Sequence, residues 1–366
     1  MARMERMKAR NLCAGFAALA LLAITELSVH GQPGPTPSPK TEPQQLVILD
    51  TDIGDDIDDA FALALLLQSP EIKLLGITTA FGDTELRARL VERYLSAVGR
   101  GDIPVAAGVE TPATNHFTQA AYAKRGATLL GDSCMMRALS VSQTPFPKRE
   151  KDRYDACEKD RHDAVGFILR SAKAYPGQIT LIAIGPLFNV QAAIARDPAA
   201  FRKLKRVVMM GGSVYRGYDG GIAGAPAPPP SPEWNIRCDP AGARALLASG
   251  VPVFMMPLDS TQIHLTPREL GTILSHGSPL SDQLTLLYHQ WTGADAWRMP
   301  TLFDPVAASY AIRPELCPTK PMHLEVDDQG FTKPESGEPN AQVCLQADEQ
   351  GFRELLLQRI LSDPGK

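Results

Sequence analysis

Apolar runs and polar stretches alternate along most of this chain. Leu46-Val-Ile-Leu49 is a continuous apolar run that predicts a buried β-strand, and Phe61-Ala-Leu-Ala-Leu-Leu-Leu67 predicts the start of a buried helix. The alternation continues with a strand over 72–79, a helix over 85–98 and a short strand over 103–107. Beyond these come a helix over 162–174, a strand over 179–184, a helix over 189–195, a strand over 206–210, a helix over 240–248 and a strand over 251–256. Strands that are apolar throughout are buried on both faces. The pattern therefore predicts an α/β fold: an open, mostly parallel sheet with helices on both faces, a Rossmann-like core. Residues 110–160 show no period and read as an insertion. Gly217 to Pro232 is rich first in Gly and then in Pro, which predicts a lid loop. No internal repeat is visible.

Polar groups and glycines recur where the apolar strands end. Asp52, Asp83, the Gly185-Pro-Leu-Phe-Asn189 turn, Gly211-Gly212 and Asp259 each follow a strand. In a parallel sheet they would share the carboxyl edge, where such folds bind ligands. The first of these ends is the most unusual. Asp50-Thr-Asp52-Ile-Gly54-Asp-Asp56-Ile-Asp58-Asp59 places six aspartates within ten residues on one strand-to-helix loop. Carboxylates so close repel unless a cation or a shared proton neutralises them. An all-oxygen set suits Ca2+ or Mg2+ rather than zinc or copper. Capping the following helix would occupy two of the six, Asp55 and Asp56, and leaves the others unexplained.

Composition adds boundaries. With 366 residues, 44% of them hydrophobic and 21% charged, the chain is long enough for one large α/β domain, placed here at 45–362. Arg3, Arg6, Lys8 and Arg10 precede an apolar run from Leu12 to Ile24, and small residues at Val29 and Gly31 then offer a cleavage site before Gln32. Residues 1–31 read as a signal peptide, so the protein is expected to be exported, periplasmic or secreted, with no membrane span left after cleavage. Residues 32–44 form a Pro-rich tether, expected to be disordered. Loss of the signal removes four basic and two acidic residues, leaving 33 against 39. A mildly acidic chain with no basic run is not built to bind nucleic acid or an anionic membrane. Export permits disulfides. Cys134 with Cys157, or Cys317 with Cys344 across an expected hairpin, could each bridge, leaving Cys238; free buried thiols remain the alternative.

Taken together, several motifs resemble the calcium-dependent nucleoside hydrolases of the inosine–uridine-preferring type, over roughly residues 45–362. They are Asp50-Thr-Asp52-x-Gly54, Asp58-Asp59-Ala60, Gly185-Pro-Leu-x-Asn189, Met209-Met-Gly-Gly212, Pro232-Glu-x-Asn235 and Asp304-Pro-x-Ala307. The resemblance implies hydrolysis of the N-glycosidic bond of ribonucleosides to free base and ribose, through an oxocarbenium-like transition state. It implies Ca2+ held by Asp52, Asp59, Asp304 and the backbone carbonyl of Phe188, with Asp52 also the general base. It places Asp58, Asp83, Glu233 and Asn235 on the ribose, with Met210 beneath it, and implies a small-molecule nucleoside partner and a possible homo-oligomer. From the residues themselves, Glu233 and Asn235 could instead cap a helix start.

The chain departs from the family's pattern in three places. The acidic loop is two residues longer than the shortest family form, so either Asp56 or Asp58 could face the ribose; Asp58 aligns with the helix start. Asp83 stands where Asn is frequent. Phe303 stands where a His that protonates a departing purine is frequent. Trp234, Trp291, Trp297 and Phe303 could contact the base, and His264 or His289 could supply a proton. Phe303 also keeps open a non-catalytic binder of ribose or nucleosides on the same fold. A haloacid-dehalogenase-type phosphatase, suggested by Asp50-x-Asp52, is disfavoured by Gly54 and by the lack of a Lys motif.

Overall fold

A computed structural model of the chain describes residues 44–112, 117–125, 162–220, 228–295 and 298–362. The expected signal segment, the tether up to residue 43, Cys134, Cys157, most of the 110–160 segment and Trp297 lie outside the described residues.

The described residues start with β1 (Gln45–Thr51), α1 (Asp58–Leu67), β2 (Ile72–Thr79), α2 (Thr84–Ala97), β3 (Val105–Ala107) and α3 (Ala120–Arg125). After the insertion come α4 (Ala164–Ala174), β4 (Ile179–Ala183), α5 (Phe188–Arg196), α6 (Pro198–Phe201) and β5 (Arg206–Met210). Next are α7 (Trp234–Cys238), α8 (Pro240–Leu247), β6 (Val253–Met256), α9 (Leu258–Thr261), α10 (Pro267–Leu274), α11 (Pro279–Thr292) and α12 (Phe303–Tyr310). The chain closes with β7 (Thr319–Val326), β8 (Thr332–Glu335), β9 (Ala341–Cys344) and α13 (Glu349–Ile360).

Among the described residues the strands form one nine-stranded sheet in the order β3-β2-β1-β4-β5-β6-β9-β7-β8. Pairings from β3 across to β9 are parallel, and β7 pairs antiparallel with β8 and β9. Successive side chains on a strand point to opposite faces. Val47 and Leu49 accordingly join one apolar cluster with α1, α2, α11 and α13, while Ile48 joins a second with α4, α5 and α8. Apolar side chains thus cover both faces of the central strands, which is why these strands carry no polar alternation.

The chain order reverses beside β1. From there β2 and β3 run to one side and β4, β5 and β6 to the other, so the loop after β1 opens at the topological switch point of the sheet. Three of its neighbours hold that loop. Arg87 on α2, although buried, donates to the backbone carbonyls of Phe81 (2.7 Å), Ile53 (3.0 Å) and Asp52, and pairs with Asp55 at 2.8 Å. Thr118 and Gln119, from within the 110–160 segment, bind the carbonyls of Asp55 (2.8 Å) and Asp56 (2.9 Å). Gly54 has φ +125°, and a Cβ there would meet the Phe117 ring at 1.9 Å, so only glycine fits the turn.

One sequence expectation about this loop is corrected. Neither Asp55 nor Asp56 caps α1. Its N-cap is Ile57, without a side-chain cap bond, and Asp58 and Asp59 occupy the first helical turn. There their charges favour the positive end of the helix dipole and their side chains are buried.

Candidate active site

The carboxyl ends of β1 and β5, the N-termini of α1, α7 and α12, and the Tyr218 loop surround one cavity of about 390 Å³. That volume is of the size that encloses a small ligand. Asp52, Asp55, Asp56, Asp58 and Asp59 line it from the acidic loop, and Asp304 closes it from a helix more than two hundred residues away in sequence. Met210, Glu233, Asn235, Trp234 and Phe303 line it as well.

Asp58, Asp59 and Asp304 each offer a carboxylate oxygen, and these lie within 4.8 Å of one another with all three residues buried. The backbone N–H of Asp304 donates to Asp58 at 3.1 Å, and the Thr51 hydroxyl donates to Asp59. Burial pushes all three carboxyls well above the usual range, and repulsion from neighbouring carboxylates, Asp52 and Asp56 included, adds to it. Asp52 stands beside them. Burial raises it to about 7; the nearby Arg87 charge opposes that shift, and Asp55 and Glu233 reinforce it. So many desolvated acids at one point fit a hard divalent cation, which would reverse the electrostatic penalty. The resemblance implies Asp52, Asp59, Asp304 and the Phe188 carbonyl as ligands. The tightest carboxylate group, however, is Asp58 with Asp59 and Asp304, because Asp58 and Asp59 lie side by side in the first turn of α1. The Phe188 ring packs on Phe81, with centroids 6.2 Å apart, and Phe188 is not among the lining residues.

Asp50 supports the loop from behind. Its carboxylate accepts from the Thr78 hydroxyl (2.6 Å) and from the Asn189 side-chain amide (2.7 Å), and its burial raises it to about 6. The Gly185-Pro186-Leu187 turn lies directly against Asp52, where a Cβ on residue 185 would be 2.8 Å from Oδ1.

Glu233 and Asn235 combine the capping role and the site role. Glu233 is the N-cap of α7 and accepts from the backbone N–H groups of Asn235 (2.9 Å), Ile236 (3.1 Å) and Gly212 (3.0 Å). Asn235 donates to the carbonyls of Ile184 (3.0 Å) and Met210 (3.1 Å), which ties the strand ends together. Both side chains are buried and both line the cavity.

Three further sequence candidates fall outside the cavity. Asp83 is exposed and caps α2, accepting from Leu86 N–H at 2.9 Å; the loop between β2 and α2 turns it outward. His264 lines a separate cleft of about 790 Å³, where it binds Asp219 at 3.0 Å and Thr301 at 2.9 Å. His289 is exposed near the end of α11. Trp234 and Trp291 do line the cavity.

Sequence reasoning missed Tyr218, Arg298 and Thr118 among the lining residues. Tyr218 accepts from Trp234 N–H at 2.9 Å through its hydroxyl and sits edge-on to Phe303, with centroids 6.0 Å apart. It lies within the expected lid segment, but nothing in its sequence neighbourhood marks it. Arg298 directly follows Trp297, and an isolated arginine in a loop carries no motif.

The family model of the inosine-uridine preferring nucleoside hydrolases matches residues 47–354. The chain belongs to that family. Its reaction is the hydrolysis of the N-glycosidic bond of ribonucleosides, and the buried carboxylates described above lie inside the matched region. Relatives of this nucleoside hydrolase include "Uridine nucleosidase 1" of Arabidopsis thaliana, 31% identical over 292 residues, covering 78% of this chain and 79% of that one. Another is the "Pyrimidine-specific ribonucleoside hydrolase RihA" of Citrobacter koseri, 30% identical over 340 residues, covering 86% and 97%. Among solved structures, a plant nucleoside hydrolase superposes with a TM-score of 0.68 at 23% identity, covering 88% of this chain and 100% of that one. The purine-preferring ribonucleoside hydrolase from Gardnerella vaginalis superposes with a TM-score of 0.65 at 25% identity, covering 87% and 98%. Among the described residues, no helix is long and apolar enough to cross a membrane.

Proposed function

We propose that this nucleoside hydrolase works as a Ca2+-dependent ribohydrolase with Asp52 as the general base. The observation that carries the reading is the convergence of Asp52, Asp58, Asp59 and Asp304, all buried, on a single cavity. Asp58, Asp59 and Asp304 supply the oxygen ligands for the cation, joined by Asp52 and, by family resemblance, the Phe188 carbonyl. When bound, the cation would hold a water and the ribose diol and favour loss of a proton from that water.

Every further step belongs to side chains of this chain. Asp52 takes the proton of the attacking water. Glu233 is held in one orientation by three backbone N–H donors and accepts from ribose hydroxyls. Asn235 orients the Met210 strand end, which supports the sugar from below. Apolar walls from Ile184, Met210 and Phe303 exclude bulk water, so fixed charges act more strongly on the forming oxocarbenium ion.

Nitrophenyl riboside tests this, because its leaving group needs little protonation. Hydrolysis by the wild-type protein is expected to stop with a calcium chelator, return with added Ca2+, and fall at least about a thousandfold in Asp52→Asn. Unimpaired turnover by Asp52→Asn would remove Asp52 as the base.

We propose further that the protein is exported and loses residues 1–31. The Cys317–Cys344 disulfide, with Cα atoms 5.6 Å apart, supports this, since such bonds persist in oxidising compartments. Expressed in full in a secreting host, the mature chain is expected to begin at Gln32. A cytosolic product that keeps its first residues would count against export.

A further inference from the structure

Cleavage of an N-glycosidic bond sends the bonding electron pair onto a ring nitrogen of the base. Carboxylates cannot accommodate that charge, and most charged groups lining the cavity are carboxylates. Among the described residues that line it, Arg298 is the one cation. Its guanidinium stacks on the indole of Trp291, 4.0 Å from the ring centroid, and Trp291 is itself buried at the end of α11. A cation over an aromatic face is attracted to it and held in one plane. The backbone at this point is tied at both of its polar groups: Arg298 N–H donates to Asp295 at 3.2 Å, and its carbonyl accepts from the Tyr288 hydroxyl at 3.1 Å. The Arg298 charge also acts on Asp56, which places it at the acidic loop. From there the chain runs on through a few residues to Phe303 and Asp304, so the segment that carries Arg298 also carries a ligand of the proposed cation.

We propose that Arg298 receives the departing base, donating guanidinium N–H bonds to a carbonyl oxygen conjugated with the glycosidic nitrogen. This rests on the ribohydrolase reading. In the step, the C1′–N bond breaks and its electron pair moves to the base, delocalised onto that oxygen. The water oxygen bonds to C1′, and the water proton goes to Asp52. Arg298 only donates hydrogen bonds and transfers no proton in the step. The base leaves as an anion paired with Arg298 and is protonated by solvent afterwards. Arginine thus supplies charge where Phe303 supplies no acid. Trp291 and Phe303 offer flat apolar faces beside it, and a planar base can stack there.

The substrates this selects are nucleosides whose base bears an oxygen acceptor conjugated with the broken bond. Uridine carries such an oxygen next to the glycosidic nitrogen. Adenosine has none and is expected to be the poorer substrate.

The test compares uridine, adenosine and nitrophenyl riboside on the wild type, Arg298→Ala and Arg298→Lys, each loaded with Ca2+. Arg298 is solvent-exposed, so neither substitution opens the core. Arg298→Ala is expected to lose about a hundredfold or more in kcat on uridine, the scale seen when one preorganised donor is removed. Turnover of nitrophenyl riboside should stay near the wild-type rate, since that leaving group holds its charge unaided. Millimolar guanidinium should restore part of the uridine rate, and Arg298→Lys should fall between the two. A parallel loss on both substrates would mean that Arg298 only balances Asp56, and would overturn the proposal. So would an unchanged uridine rate, or adenosine turned over as well as uridine. No turnover of any of the three by the wild type overturns the ribohydrolase reading, and this proposal with it.

Discussion

Residue 185 has no side chain because Asp52 occupies the space. A Cβ there would sit 2.8 Å from Asp52 Oδ1 and 2.9 Å from its backbone nitrogen, closer than real contacts allow. The turn cannot retreat, since Ile184 N–H is bonded to the Asp50 carbonyl at 2.9 Å. Gly185→Ala is therefore expected to displace the Asp52 carboxylate. Its cost should appear in kcat, by about tenfold or more, with only ~1–3 kcal/mol lost from stability. Rates on nitrophenyl riboside and urea melts check this together; an unaltered kcat would refute it. At this scale the sequence marks the acidic residues well, because six aspartates in ten positions repel one another unless a cation or shared protons join them. It does not tell which of them turn inward. Asp83 resembles Asp52 as a carboxylate after a strand, yet it caps α2 at the surface. His264 is a residue suited to proton transfer, yet it faces Asp219 in a different cleft. The direction of a side chain depends on the backbone that follows, and a loop's course is not written in its residue types.

Elements are the most legible level. The strands β2 and β5 coincide with their apolar runs, and α2, α5 and α8 lie within a residue or two of their expected ends. The reason is physical: a strand buried on both faces must be apolar throughout, and a helix packed on a sheet must repeat near 3.6. Boundaries follow caps that the sequence does contain, such as Asp163 before α4 and Asp239 before α8, each accepting from an N–H at 2.8 Å. The expected C-terminal hairpin is β7 with β8. Only the structure adds β9 between β6 and β7, so that the Cys317–Cys344 bond fastens an antiparallel extension to a parallel sheet. The segment at 110–160 shows no period in sequence, yet its residues 117–125 include α3 and the contacts that clamp the acidic loop. The clamping residues lack a period because their bonds are made to another loop rather than within a repeating element.

For the molecule as a whole, the acidic centre costs stability when no cation is bound. Asp50 and Asp52 are raised to about 6 and about 7, and burial lifts Asp58, Asp59 and Asp304 well above the usual carboxylate range. In the unfolded chain these groups titrate near about 4. Between those values the folded protein holds protons that the unfolded chain has released, so stability falls as pH rises from about 4 up to about 6 to 7. Chelated protein should thus melt at a higher temperature at about pH 5 than at about pH 8. Added Ca2+ should raise the melting temperature more at the higher pH, since at the lower one protons already occupy the site. Thermal scans at both pH values, with and without Ca2+, check the sign. A chelated melting temperature that climbs with pH, with no response to Ca2+, would rule out a cation site among these carboxylates. By itself the sequence determined the parallel sheet with its covering helices, the acidic loop and the family, because each is a local pattern of burial or charge. Tertiary structure alone decided that Asp304 meets Asp58 and Asp59, that Tyr218 and Arg298 enter the cavity, and that Asp83 and His264 do not. Those outcomes depend on how distant loops pack against one another, and long-range packing leaves no periodic trace in the chain.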